Sequence, residues 1–383
     1  MTAIINAMVM TDDGSFKRTN VVFDDKILSI GEEISGGCEI IDANGGYLTP
    51  GLIDAHCHLG MVGDSQGAES DDGNEDSDPI TPHLRAIDAI NPFDRGFEEA
   101  RTAGVTAVVT GPGSANPIGG QFAAIKTSGI CVDDMIIKAP AAIKIALGEN
   151  PKAVYGDKDE APFTRMGTMA LIREALFKAK DYATSIQNAE DGEKVDFDMK
   201  NDALLPLIKG EIPAKIHAHR ADDICSALRL QKEFGIKITL EHCTDGEVIA
   251  DILSEKNVPV MLGPTLTDRS KPELASLGFP IYKTLSEKGV SVAIITDHPE
   301  ITIGNLRLMA QLAVKNGMDS NKALLAITTT AANNCGIGDN VGSIKTGLDA
   351  DFALFDKHPL DFTADNIMTI INGKTVYEKK SAE

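Results

Sequence analysis

The chain has 383 residues, 43% of them hydrophobic and 24% charged, with a formal net charge of −21. An acidic balance of this size excludes electrostatic capture of nucleic acid or of an anionic membrane, since both need a basic face. Six scattered cysteines with no CxxC pair, no basic leader pattern at the start, and no apolar run near the roughly 20 residues of a bilayer span point to a cytoplasmic protein without disulfide framework or zinc finger.

The first fifty residues read as short extended runs, TAIINAMVM, NVVFDDKILSI and CEIIDANGGYLTP, rich in β-branched residues and without a helical period. ADFALFD and NIMTIINGKTVYE near the end read the same way. These stretches predict a small composite β-sandwich built from residues 1–49 and 341–383, because chain ends commonly meet in space. Between 50 and 340 the pattern alternates. The runs GLIDAHCH, GVTAVVT, AAIKIALG, AKIHAHR, IKITLEH, VPVML and VSVAIITD are separated by helical segments such as FDRGFEEARTAG and ADDICSALRLQKEFG. Alternation of this kind predicts a parallel sheet, and the length suits a distorted (β/α)8 TIM barrel of the α/β class. MIIKAP runs almost directly into AAIKIALG, without the crossover of about a dozen residues that parallel neighbours need. QFAAIKT is the other candidate for the third strand.

Residues 61–82, MVGDSQGAESDDGNEDSDPITP, carry seven acidic residues and no basic one. They read as a solvated loop or as a cover over a pocket mouth. His56 and His58 in DAHCH share one face of a strand, and two imidazoles at a strand end can hold a metal. His217 and His219 form a second HxH pair, His242 ends KITLEH, and Asp297 ends SVAIITD. Five of the eight histidines therefore fall at strand C-terminal ends, where barrel enzymes build their sites. His83 and His358 read as surface residues, and His298 as a supporting neighbour of the site. Cys57 and Cys243 read as packed, inert residues.

PGLIDAHCHLG after a β segment, then HAHR, LEHCTD and TDHPE, and finally GSIKTGLDADFALFD, resemble the amidohydrolase superfamily, and within it the imidazolonepropionase-like group. The resemblance implies one or two divalent metal ions, zinc foremost. Its ligands would be His56 and His58 from the first strand, His219 from the fifth, His242 from the sixth and Asp297 from the eighth. His217 would stand beside the site, facing substrate or supporting a ligand. At the fourth strand some relatives use a glutamate and others a lysine carbamylated by CO2. Glu149 is favoured here, with carbamylated Lys144 as the alternative. The two are separated by an odd number of residues, so a regular strand would send them to opposite faces. The implied activity is hydrolysis of an amide-type C–N bond in a small molecule by metal-activated hydroxide, with Asp297 shuttling the proton. Arg220 is a candidate carboxylate clamp or a surface ion pair, and TGPGSANPIGGQ a substrate-facing loop or a plain turn. Heterocycle deamination and a non-catalytic scaffold are the rival functions. Strand five offers HAHRADD without the glutamate deaminases often use, and a scaffold would have lost ligands. A homo-oligomer is left open.

Overall fold

The computed structural model describes residues 1–32, 37–63, 67–190 and 194–380. The chain begins with β1 (Thr2–Met10), β2 (Phe16–Phe23), β3 (Ile27–Gly31), β4 (Glu39–Asp42) and β5 (Tyr47–Pro50). Next come β6 (Leu52–Cys57), β7 (Val105–Thr110), β8 (Ile118–Lys126) and β9 (Ile136–Ala146). They are followed by β10 (Ala214–Ala218), β11 (Ile238–His242), β12 (Val260–Leu262) and β13 (Val292–Ile294). The last strands are β14 (Phe352–Phe355), β15 (Asn366–Ile371) and β16 (Lys374–Glu378).

β6 to β13 hydrogen-bond in sequential order into one eight-stranded barrel sheet. Its edges β6 and β13 are drawn together where Asp297 N donates to His56 O at 3.2 Å and His58 N to His298 O at 2.8 Å. Asp54 adds to this closure by accepting from the backbone N–H and the hydroxyl of Thr296. Burial pushes the Asp54 carboxyl up to about 7.

The uncertain third strand is QFAAIKT, within β8, and it runs antiparallel to both β7 and β9. Two hairpin-type connections replace the crossovers, so MIIKAP and AAIKIALG can be a single strand, β9. The remaining neighbours of the barrel are parallel.

The helices between strands follow their terminal residues. Arg95–Ala103 is capped by Asp94, whose carboxylate accepts from Gly96 N, and ends on Gly104 at φ 87°. Ala221–Phe234 ends on Gly235 at φ 71°, and Arg165–Asn188 starts on Thr164, which accepts from Gly167 N. Left-handed glycines and side-chain acceptors are what helix ends require.

The helices pack on the barrel's outer face through Val105, Val108, Ile143, Ile145, Ile216 and Leu240. The inward face is lined by a separate set that includes Ala107, Val109, Phe122, Ala124, Ala142, Met261 and Ala293. The alanines there leave room for longer polar side chains. The terminal strands form a second sheet, ordered β16-β15-β14-β5-β1-β2-β3 with β4 also on β1, around its own core of Ile4, Val21, Phe23, Leu48, Phe352 and Ile370. Lys126 at the end of β8 ties the barrel to this sheet by pairing with Asp349 and Asp351. Cys57 and Cys243 are fully buried, and burial raises both thiols. His358 is not a free surface group, because its ring packs edge-on against Phe16 and Tyr47 at 5.2 and 5.4 Å.

Candidate active site

Two polar groups stand at the C-terminal end of the barrel: His56, His58 and Asp297 in one, and His217, His219 and His242 in the other. In each, the atoms able to bind a cation lie within 4.8 Å of one another. The first group comes from β6 and the turn after β13, where Asp297 sits at φ 54°. Asp297 Oδ1 is 3.4 Å from His56 Nε2 and 3.2 Å from His58 Nε2. Burial alone would raise the Asp297 carboxyl, but His242, His56 and His58 hold it well below the usual carboxylate range. It is therefore ionised at neutral pH.

In the second group His217 and His219 alternate inward along β10 and its end, as an HxH pair must. His242 closes β11 at φ 71°, which turns its ring in beside them, 4.4 Å from His217 and 4.8 Å from His219 between centroids. Burial lowers His56, His217 and His219 and takes His242 down to about 4. All four are neutral imidazoles, the form that binds a metal.

Three ring nitrogens are fixed by their partners. His58 Nδ1 faces Gly111 O at 2.7 Å, His242 Nδ1 faces Gly263 O at 2.8 Å, and His219 Nδ1 faces Thr244 Oγ1 at 2.7 Å. A carbonyl can only accept, so Nδ1 of His58 and of His242 carries a proton, and in the neutral His242 Nε2 presents its lone pair. His56 Nδ1 lies 2.9 Å from Glu241 Oε2, which leaves its Nε2 toward Asp297 as well. His217 has no hydrogen-bond partner at either ring nitrogen among the described residues, although it is buried. Buried imidazole nitrogens left in this state are suited to hold a cation.

Lys144 lies fully buried inside the barrel, its Nζ 3.4 Å from His56 Nε2. No carboxylate is within ion-pair distance of it among the described residues, and burial lowers its ammonium to about 8. Glu149, favoured from the sequence, belongs to neither group. β9 ends at Ala146 and the chain turns through Gly148, at φ 82°, into the helix Glu149–Gly156, where Glu149 N donates to Glu273 Oε2 at 3.1 Å. Arg220 forms an exposed pair with its neighbour Asp222 at 2.9 Å and is outside the cavity lining. His298 is buried beside the site, where its carbonyl receives His58 N and its Nδ1 accepts from Ile303 N.

Lys215 and Glu241 were missed by the reading of motifs. Lys215 pairs with Glu241 Oε2 at 3.0 Å inside the barrel, and Glu241 in turn holds His56. Their signal was present in AKIHAHR and KITLEH, since a charge within a buried strand demands an opposite charge nearby. Burial would raise Glu241, but Lys215 and His56 hold it low. Replacing Glu241 by Ala strands the buried Lys215 and is expected to cost about 3–5 kcal/mol. Urea unfolding should show it, with Glu241→Gln losing less. Because the folded value is depressed, this contribution is complete above the ordinary glutamate pKa of about 4.3 and fades as pH falls below it.

Over both groups lies a cavity of about 300 Å³. Its walls include Val62, Asp71, Gly73 and Asn74 of the acidic segment, and Gly113 and Ser114 of the Gly-rich loop. The two loops are stitched together: Gly113 N donates to Gly73 O at 2.7 Å, Ala115 N to Asn74 Oδ1 at 3.1 Å, and Asn116 Nδ2 to Glu75 O at 2.7 Å. Lys158 and Lys200 neutralise Asp76 and Asp78. The segment is thus a wall of the cavity, with residues 64–66 outside the described residues.

Comparison with known proteins agrees with this arrangement. The "Amidohydrolase family" model matches residues 47–376. The crystal structure of an amidohydrolase from Thermotoga maritima superposes with a TM-score of 0.96 at 39% identity, covering 99% of this chain and 100% of that one. Amidohydrolase tasK of Hapsidospora irregularis is 28% identical over 90% of this chain, which spans 38% of that protein's length. An imidazolonepropionase of Thermoplasma acidophilum is 23% identical, over 92% of this chain and 88% of its own. With the whole barrel and strands β5, β14 and β15 of the terminal sheet inside the matched region, this chain belongs to the amidohydrolase family.

Proposed function

We infer that the protein is a metal-dependent hydrolase of a small-molecule amide-type C–N bond. The observation that carries this reading is the pair of ligand groups with Lys144 beside them: neutral imidazoles with lone pairs aimed inward, an ionised aspartate, and His217 without a partner. His56, His58 and Asp297 would hold one divalent cation, zinc foremost, and His217, His219 and His242 a second. Lys144, carbamylated by CO2, would supply a further carboxylate ligand in preference to Glu149. His217 acts here as a ligand and not only as a neighbour.

A bound divalent cation supplies a water acidified toward about pH 7 and polarises the scissile carbonyl. Asp297 accepts the proton at a carboxylate oxygen and returns it to the departing nitrogen. Glu241 keeps the proton of His56 on Nδ1 and so fixes the ring's direction. The walls from the acidic segment and the Gly-rich loop orient the substrate above the ligands.

The test is a chelator-stripped preparation reloaded with single divalent metals and offered N-acyl amino acids, dipeptides, cyclic amides and amino-heterocycles. Metal-restored release of amine from an amide is the expected result. Ammonia released only from heterocycles would replace this reading by deamination, and no turnover with any metal would overturn it.

A further inference from the structure

One ammonium lining the cavity has no carboxylate within ion-pair distance among the described residues. Lys271, in the loop after β12, is half-buried and lines the cavity, and it is the sole lysine or arginine among the described lining residues. Its Nζ donates to Asn150 Oδ1 at 2.6 Å, and among the described residues no carboxylate lies within ion-pair distance. Of the other shielded lysines, Lys126 pairs with Asp349 and Asp351 and Lys215 with Glu241, while Lys144 inside the barrel also lacks a carboxylate within ion-pair distance among the described residues. Glu273 and Glu300 act on Lys271 only from beyond ion-pair distance, so its direct partner among the described residues is the Asn150 amide.

The amide is itself held. Asn150 Nδ2 donates to Ser114 Oγ at 2.9 Å, which sets the orientation of its Oδ1 toward Lys271. A line Lys271–Asn150–Ser114 thus joins the loop after β12, the first turn of the helix after β9 and the loop after β7 along one wall. An ammonium has three N–H donors, and one is used. The Ser114 hydroxyl accepts from Asn150, so its own proton remains to be donated, and Ser114 also lines the cavity. Two donors on one wall, one of them charged, match the two oxygens of a carboxylate.

We propose that Lys271, with Ser114, binds a free carboxylate on the substrate, so that the substrate class is a small amide bearing a carboxylate, an N-acyl amino acid in the simplest case. This rests on reading the cavity as the substrate site. Lys271 is then a specificity residue and takes no part in bond cleavage.

The experiment is calorimetric titration of the metal-loaded protein with a panel of N-acetyl amino acids and the matching N-acetyl amino acid amides, with product analysis of every mixture. The best acid should bind about 10–100-fold more tightly than its amide, as a hydrogen bond to a charged group implies. Lys271→Met should remove that advantage without weakening the amide, Lys271→Arg should keep part of it, and metal content should stay unchanged in both. Equal binding of acid and amide overturns the proposal. So does an absence of binding by the whole panel, or equal weakening of both ligands by Lys271→Met. Product analysis decides the other reading separately: acid-selective, Lys271-dependent binding without cleavage would sustain the carboxylate site and count against amide hydrolysis.

Discussion

The Asp297→Asn protein is expected to turn over any wild-type substrate about 10²–10⁴-fold more slowly, the contribution of a positioned proton-transfer group. Asp297 sits in the turn after β13 with Oδ1 near Nε2 of both His56 and His58. The surrounding imidazoles lower its carboxyl despite burial. An asparagine fills the same space and can still offer an oxygen toward the ligands, but it cannot carry a proton from water to a leaving nitrogen. Turnover and metal content should be measured on the same preparation. A large fall in turnover with metal largely retained supports the shuttle. Turnover within a fewfold of wild type would remove Asp297 from the proton path.

Lys144→Ala should lose bound metal and activity together, while Glu149→Gln should retain both. Lys144 reaches His56 from within the barrel, whereas Glu149 has already entered a helix and gives only its backbone N–H to Glu273. Burial that lowers the ammonium to about 8 also raises the share of neutral amine near neutral pH, the form that reacts with CO2 and releases a proton. Bicarbonate added during metal reloading should therefore increase the activity recovered by wild type and do nothing for Lys144→Ala. Metal loss in Glu149→Gln with Lys144→Ala unaffected would reverse the assignment.

The barrel and the terminal sheet were legible because hydrophobic alternation and HxH spacing report directly on which face a strand buries. The direction of β8 was not. A hairpin and a crossover begin with the same kind of apolar run, and only the missing crossover between MIIKAP and AAIKIALG showed that this sector is irregular. Glu149 was misjudged in position because spacing cannot tell where a strand stops: two residues past Ala146, Gly148 redirects the backbone. His242 shows the same limit. Strict alternation cannot anticipate a left-handed residue, and here that residue brings the ring beside His217 and His219. Lys271 carried no motif at all, since the role proposed for it rests on its place in the cavity wall beside Asn150 and Ser114.

The terminal sheet also sets an order of events during synthesis. β5 is flanked by β1 on one side and by β14 on the other, and β14 is made roughly 300 residues later, about 15–60 s at ribosomal speed. Throughout that interval one side of β5 is an unpaired strand edge, the kind of surface on which nascent chains aggregate. The barrel can gather its own core in the meantime, but the sheet can close only when the last strands emerge. Nascent chains truncated before β14 should consequently engage chaperones or precipitate, while the full-length protein does not.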